Sequence, residues 1–186
     1  MSEFYSKRRS VLARKMSSEK IPDNHLEQIL AAGIRVPDHG ALNPWKIKVI
    51  SGEKLKLIDK DIILSEFKKE NSNANDIQLE TESKRLQRAS VVLAVLSTPV
   101  DHPKIPVWEM SLSSGAVCMN LLSCAQSLGY AAQWLTEWYA YNEKMLEYLG
   151  GRKKIDKISG FIYIGHKLEE PNERRRPDPA KVISYL

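Results

Sequence analysis

Six consecutive apolar residues, Val91-Val92-Leu93-Ala94-Val95-Leu96, half of them valine, constrain this chain more than any other stretch. The run has strand length, and it lacks the alternation of a strand with one wet face. It therefore predicts a central strand covered on both sides. Such a strand needs two packed layers. One is at hand in Trp108 to Leu128, a long predicted helix. Its Met110, Leu112, Ala116, Val117, Met119, Leu121, Leu122 and Ala125 make it apolar nearly all round. A helix of that kind is buried in a large core or in an interface between subunits. Gly129 ends it.

The remaining elements follow from local pattern. Asp23 to Ala32 reads as a helix, with Leu26, Ile29, Leu30 and Gly33 at helical spacing. Pro37 stops it, because the residue before a proline avoids helical geometry. Trp45, Ile47 and Val49 alternate with Lys46 and Lys48, a half-buried strand that closes at Ser51-Gly52. Residues 54–88 are the most polar part and read as a peripheral excursion, with an exposed break over Lys68 to Asp76. Tyr130 to Leu135 and Ile158 to Ile164 are further strands. Asn142 caps a short helix that stops at Gly150, and Lys181 to Leu186 is a β-rich tail. Strands alternating with helices give an α/β or α+β class around a mixed sheet. At 186 residues the expectation is one domain over 1–186.

Composition removes several classes. No run approaches a membrane span, and the first ten residues lack the basic-then-apolar order of a signal peptide. Cys118 and Cys124, the only cysteines, lie six apart on one predicted helix, about 9 Å along its axis, so they do not pair with each other. A reducing cytoplasm is the expected compartment. The net charge is +5, and basic residues mostly alternate with acidic ones. The basic clusters are too short for a nucleic-acid tract, so neither nucleic acid nor membrane is an expected partner. No phosphate-binding Gly-x-x-x-x-Gly-Lys loop, dinucleotide Gly-x-Gly-x-x-Gly or Gly-x-Ser-x-Gly elbow occurs. The four histidines show no metal-binding spacing, so no metal is expected.

Two segments carry chemistry. Arg8-Arg9-Ser10 puts two cations and a hydroxyl beside backbone amides, which suits a phosphate as well as a solvated helix end. Arg35 to His39 lies on a helix-to-strand connection, where functional residues concentrate, and reads equally as a plain helix stop.

Taken in order, these segments resemble the nitroreductase family of flavin-dependent oxidoreductases over nearly the whole chain. The marks are Arg8-Arg9-Ser10-Val11, then Leu26-x-x-Ile29-Leu30-x-Ala32-Gly33 and the run Arg35 to Trp45. Gly115-Ala116-x-x-Met119-Asn120-Leu121-Leu122, Leu128-Gly129 and Ile158-x-Gly160-Phe161-Ile162-Tyr163-Ile164-Gly165 complete them. Val-Pro-Asp-His in place of Ala-Pro-Ser, with the short length, is similar to a compact subgroup. The resemblance implies an α+β fold, a homodimer, and FMN held at the subunit interface. It assigns Arg8, Arg9 and Ser10 to the FMN phosphate and the nearby flavin edge. It sets Arg35 and His39 against the partner's flavin, and Ala132, Gln133 and Trp134 beside the isoalloxazine. Basic residues of the tail, Arg175 and Arg176 with Arg174 as an alternative, complete the phosphate site. The activity implied is hydride transfer from NADH or NADPH to FMN, then to a small-molecule acceptor such as a nitro compound or quinone, in a ping-pong cycle. The alternative is a protein that binds FMN for sequestration or sensing.

Overall fold

A computed structural model describes residues 3–186. The chain runs α1 (Glu3–Lys7), β1 (Met16–Ser17), α2 (Asp23–Gly33), β2 (Trp45–Ser51), α3 (Glu53–Ile58), a π-helical turn (Asp59–Leu64), α4 (Ser65–Glu70) and α5 (Asp76–Glu82). Then come β3 (Val91–Ser97), α6 (Val107–Ser127), β4 (Ala131–Leu135), α7 (Glu143–Tyr148), β5 (Lys157–Lys167) and α8 (Pro179–Val182). The sheet order is β1-β5-β3-β2, with β4 also paired to β5.

The central strand is β3, and every residue in it is buried. Val91, Leu93 and Val95 point into one core with Val117, Cys118, Leu121 and Leu122 of α6 and Ile29 of α2. Val92, Ala94 and Leu96 point into a second core with Leu55, Ile58, Ile63, Leu86 and Met145. Two-sided burial is what the unbroken apolar run requires.

The expected mixed sheet differs in one respect: all pairings among the described residues are antiparallel. The class is α+β. Strand β3, helix α6 and strand β4 read as a crossover unit, and β3 and β4 do run the same way. They do not touch, because β5 inserts between them and pairs antiparallel with both. The local β-α-β order is legible in sequence, whereas insertion of a later strand is not.

The expectation of a peripheral excursion over 54–88 is corrected. Leu55, Ile58, Ile63 and Leu86 are buried against the sheet, so this segment forms one of its two covering layers. Its outward face is crowded with lysine and glutamate, which conceals the four inward residues in any average of polarity. The tail also differs: Lys181 to Leu186 forms no strand, and Val182, Ile183, Tyr185 and Leu186 are exposed around the end of α8.

Helices α2 and α6 meet closely at Gly33, where a Cβ would fall 2.2 Å from Leu121 Cδ2. Asn120 Nδ2 donates to the Ala32 and Arg35 carbonyls at 3.1 and 2.8 Å, satisfying the C-terminal end of α2. The loop to β2 therefore leaves α2 at a point fixed on α6.

Asp59, in the π-helical turn, is buried without a cation bonded to it. It accepts from Leu86 N at 2.8 Å, Gln87 N at 3.2 Å and Gln87 Nε2 at 2.9 Å. Burial pushes its carboxyl up to about 6, with those donors holding it from rising further. A folded-state value above the unfolded one means the native state holds the proton longer. This contribution to stability is complete below pH ~4 and is lost as pH rises through about 6. About 3 kcal/mol of unfolding free energy should disappear across that window. Asp59→Asn, followed by urea unfolding from pH 4 to 7, should flatten this part of the profile. An unchanged slope would show that another group carries it.

Candidate functional site

The segment from Arg8 to Ala13 runs beside β4. Val11 N donates to the Ala132 carbonyl at 3.3 Å. Gln126, in the last turn of α6, ties the two together: its Nε2 donates to the Arg9 carbonyl at 2.7 Å and to the Ala132 carbonyl at 3.2 Å. Its Oε1 accepts from Arg8 Nη1 at 3.3 Å, and Ser10 Oγ lies 3.5 Å from the same nitrogen. The tail returns to this place. Arg9 donates twice to the Asn172 carbonyl, at 3.0 and 2.9 Å, and Arg176 Nη2 donates to the Arg8 carbonyl at 3.4 Å.

The electrostatics of this cluster are one-sided. Arg9 and Arg176 share Glu173, at 3.8 and 3.0 Å. Half-buried Arg8 has no carboxylate partner among the described residues. Burial, then the neighbouring Arg176, Arg9 and Arg174, push its guanidinium down from the ordinary value. Arg175 is exposed and makes no side-chain hydrogen bond among the described residues, so Arg174 and Arg176 are the tail cations close to Arg8. A groove of about 600 Å³ opens beside Arg8, bounded by Phe4, Val11, Gln126, Tyr130 and Lys167.

Strand alternation divides the three expected residues of β4. Ala132 is fully buried against α6 and offers only its carbonyl. Gln133 points to the opposite face, where its Oε1 accepts from Ala13 N at 2.6 Å. Trp134 lies on the α6 side, 37% exposed, and its Nε1 donates to the Ser159 carbonyl at 3.0 Å. Ser159 is the extra residue of a bulge, since Val95 faces Gly160 and Leu96 faces Ile158. Its hydroxyl is 2.7 Å from that of Ser114. A Cβ on Gly160 would stand 2.0 Å from Trp134 Nε1, so the indole rests directly on backbone.

Arg35 and His39 are exposed on the loop between α2 and β2. His39 Nδ1 is 2.7 Å from Glu109 Oε2, in the first turn of α6. Arg8 is at Gln126, in its last turn. Glu109 and Gln126 are about 25 Å apart along the helix at ~1.5 Å per residue. The structure therefore gathers Arg8, Arg9, Ser10 and Arg176 around the end of β4, and holds His39 far from them within one chain. Arg35 lies nearer, with its carbonyl on Asn120, about 9 Å along α6 from Gln126. From the Glu109 end toward the Gln126 end, α6 exposes Trp108 at 70%, Leu112 at 54% and Met119 at 37%. These fall at four- and seven-residue spacings on one side of the helix.

A model of the nitroreductase family matches residues 5–166. The chain belongs to the nitroreductase family. Among its relatives is YdjA of Escherichia coli (strain K12), provisionally named an NAD(P)H nitroreductase. It is 27% identical over 189 aligned residues, covering 99% of this chain and 98% of that one. A nitroreductase-like family protein from Bacillus cereus has the same fold, with a TM-score of 0.80 at 21% identity over 100% of this chain and 95% of that chain. A Bacteroides fragilis nitroreductase solved with bound FMN gives 0.69 at 21% identity, over 99% and 97% of the two chains.

Among the described residues of this nitroreductase-family chain, no group of three or more metal-ligating side chains converges, and no helix is long and apolar enough to cross a membrane. Four contributors escape sequence reading: Gln126, Glu173, Glu109 and Ser159. None stands in a motif. Each acts on a partner remote in sequence, and no local pattern marks such a pairing. Cys118 is buried, with its thiol pushed up to about 12 by desolvation, which fits packing and not nucleophilic chemistry.

Proposed function

We propose that this chain is an FMN-dependent oxidoreductase. It draws hydride from NADH or NADPH and passes it to a small-molecule acceptor such as a nitro compound or quinone, in a ping-pong cycle. The observation that carries this reading is Arg8: a half-buried guanidinium, pressed by three other arginines, with no carboxylate partner among the described residues. Gathering several arginines around the single carboxylate of Glu173 is costly unless a ligand supplies further negative charge. A phosphate monoester meets that need, with three strong acceptor oxygens for Arg8, Ser10 and Arg176. The flavin, when bound, supplies the redox chemistry, and the protein supplies position and electrostatics. Trp134, seated on Gly160 and half-exposed, offers a flat wall on the way from the phosphate cluster toward the middle of α6.

The other half of the site comes from a second copy in this reading. His39 lies too far from Arg8 to meet one flavin within a chain. The exposed stripe of Trp108, Leu112 and Met119 calls for a cover between the two places. A two-fold dimer across α6 satisfies both, and it brings Arg35 and His39 of one protomer to the Arg8 cluster of its partner. Arg35 is then the cation available to stabilise negative charge on the reduced flavin.

Two measurements test this. The purified protein should be yellow, and its flavin bands should bleach on anaerobic addition of NADH or NADPH. Stable flavin binding without bleaching would favour sequestration. Arg8→Ala should weaken FMN binding about 10- to 150-fold, the loss of a charge-assisted hydrogen bond of about 1.5–3 kcal/mol. Riboflavin, which lacks the phosphate, should bind both proteins alike. Equal weakening of FMN and riboflavin would remove Arg8 from the phosphate.

A further inference from the structure

We propose that His39 and Glu109 form a proton-delivery pair for reduction of the acceptor, with Glu109 positioning the imidazole. The proposal rests on the reading above, in which His39 reaches the partner's flavin, and it assigns a task to Glu109.

Three observations carry it. The first is the hydrogen bond itself. Glu109 Oε2 takes His39 Nδ1 at 2.7 Å, and no other side-chain hydrogen bond involves the ring among the described residues. A carboxylate accepts only, so Nδ1 bears a hydrogen and Nε2 is the nitrogen free to exchange a proton.

The second is the loop that presents the histidine. Ala41 and Asn43 hold φ values of 51° and 49°, a left-handed geometry that side chains resist. Such strain persists where the surroundings over-determine it, and it clusters at functional positions. Here Asp38 Oδ2 accepts from Asn43 N at 2.7 Å, Asn43 Nδ2 donates to the Ala41 carbonyl at 2.9 Å, and Ala41 N donates to the Asp38 carbonyl at 3.1 Å.

The third is the hollow beside the pair, about 330 Å³, walled by Pro37, Leu112, Ser113 and Ala116. Its floor is fastened: Ser113 Oγ donates to the Pro37 carbonyl at 2.9 Å and accepts from Trp45 Nε1 at 3.2 Å. An apolar wall with one fixed imidazole suits a flat aromatic acceptor that must receive a proton at one edge.

The chemistry balances as follows. A quinone becoming a hydroquinone takes up one hydride and one proton. The hydride comes from the reduced cofactor, which is thereby oxidised. The proton leaves His39 Nε2 as the new O–H bond forms, and the imidazole becomes neutral while Nδ1–H stays on Glu109. Water then returns a proton to Nε2. Other charged groups of the surrounding segments are Arg35 and Asp38 on the same loop and Asp101, His102 and Lys104 on the connection before α6. Asp38 is already engaged by Asn43 N, and His102 Nδ1 accepts from Ile105 N at 3.0 Å. Glu109 is the one bonded to the ring.

The test compares the holoprotein with its Glu109→Gln and Glu109→Ala variants, using a quinone and ferricyanide as acceptors. Ferricyanide takes single electrons and no proton. Positioned proton donors contribute on the order of 10²-fold or more. Glu109→Ala should therefore lower the quinone rate roughly 10²-fold relative to ferricyanide, and Glu109→Gln, whose amide oxygen can still accept Nδ1–H, should lower it less. A second readout needs no turnover. Long-range proton–nitrogen NMR of the His39 ring should show the hydrogen on Nδ1 in the wild type and in Glu109→Gln, and its loss from that nitrogen in Glu109→Ala. Quinone and ferricyanide rates falling together, or an unaltered ring, would overturn the proposal while leaving the cofactor reading intact. A protein with no flavin bands would overturn both.

Discussion

Arg88→Met is expected to lower the unfolding free energy by about 3 kcal/mol, the low end for removing one partner of a buried ion pair, because Arg88 and Glu137 are each about three-quarters buried. At roughly 2–4 °C per kcal/mol for a chain of this size, the midpoint of thermal unfolding should fall by about 6–12 °C. Arg88 sits where the end of β4, the segment after α5 and strand β5 meet. Its Nη1 and Nη2 donate to the two carboxylate oxygens of Glu137 at 3.2 and 2.9 Å, and its Nε donates to the Arg85 carbonyl at 2.7 Å. Nη2 also reaches Tyr163 Oη at 3.4 Å, and the guanidinium lies 5.1 Å over the Tyr163 ring. Beneath it, the Tyr163 and Tyr139 hydroxyls share a 2.6 Å hydrogen bond in a fully buried setting. Burial pushes the Tyr163 phenol up to about 12, so it stays protonated at neutral pH. Methionine keeps most of the aliphatic stem, and the loss is therefore of hydrogen bonds and charge, not of volume. Glu137 retains Arg85 at 3.4 Å, which holds the expected cost near the low end. Urea unfolding of the variant checks the figure. A change under about 1 kcal/mol would mean that water already screens the pair.

Gly160→Ala is expected to cost about 2–4 kcal/mol and to weaken flavin binding. The new methyl would occupy the place of Trp134 Nε1, at 2.0 Å, with Cδ1 at 2.5 Å. Neither the sheet backbone nor the indole can share that space, so the indole must leave. It loses its hydrogen bond to Ser159 and much of its packing. The bulge that turns the Ser159 carbonyl toward the indole then has nothing to hold. A double-mutant cycle isolates the cause. In a Trp134→Ala background, Gly160→Ala should cost clearly less, leaving only the backbone strain of a side chain at a φ of 157°, because the clash is gone. An equal cost in both backgrounds would place the effect in the backbone of β5 instead. The binding readout follows the same logic: Trp134→Ala and Gly160→Ala should weaken FMN to similar degrees, and the double variant should be no worse than either.

Central strand β3 and helix α6 were legible from residue order because two-sided burial imposes a composition on each position in turn. Six apolar neighbours and a helix without a polar face have few other homes. The cationic character of Arg8 and Arg9 was likewise plain, whereas residue pattern left the class between α/β and α+β and the family resemblance chose α+β. The partners of these groups were not. Arg8 meets Gln126 across 118 residues and Arg176 across 168, and that separation is bridged only when the sheet and tail close on one another. The division of Gln133 from Trp134 needed the register of β4 on β5, and the antiparallel sheet needed β5 to enter between β3 and β4. The layer over 54–88 was hidden for a related reason: Leu55, Ile58, Ile63 and Leu86, four buried apolar side chains among many charges, suggest helix but do not show that the helix lies against the sheet. Sequence thus determined which residues had to be buried and which charges were available, since those depend on each side chain's own transfer from water. Tertiary structure decided which of them meet, since a hydrogen bond or a clash depends on two chain segments arriving at one place.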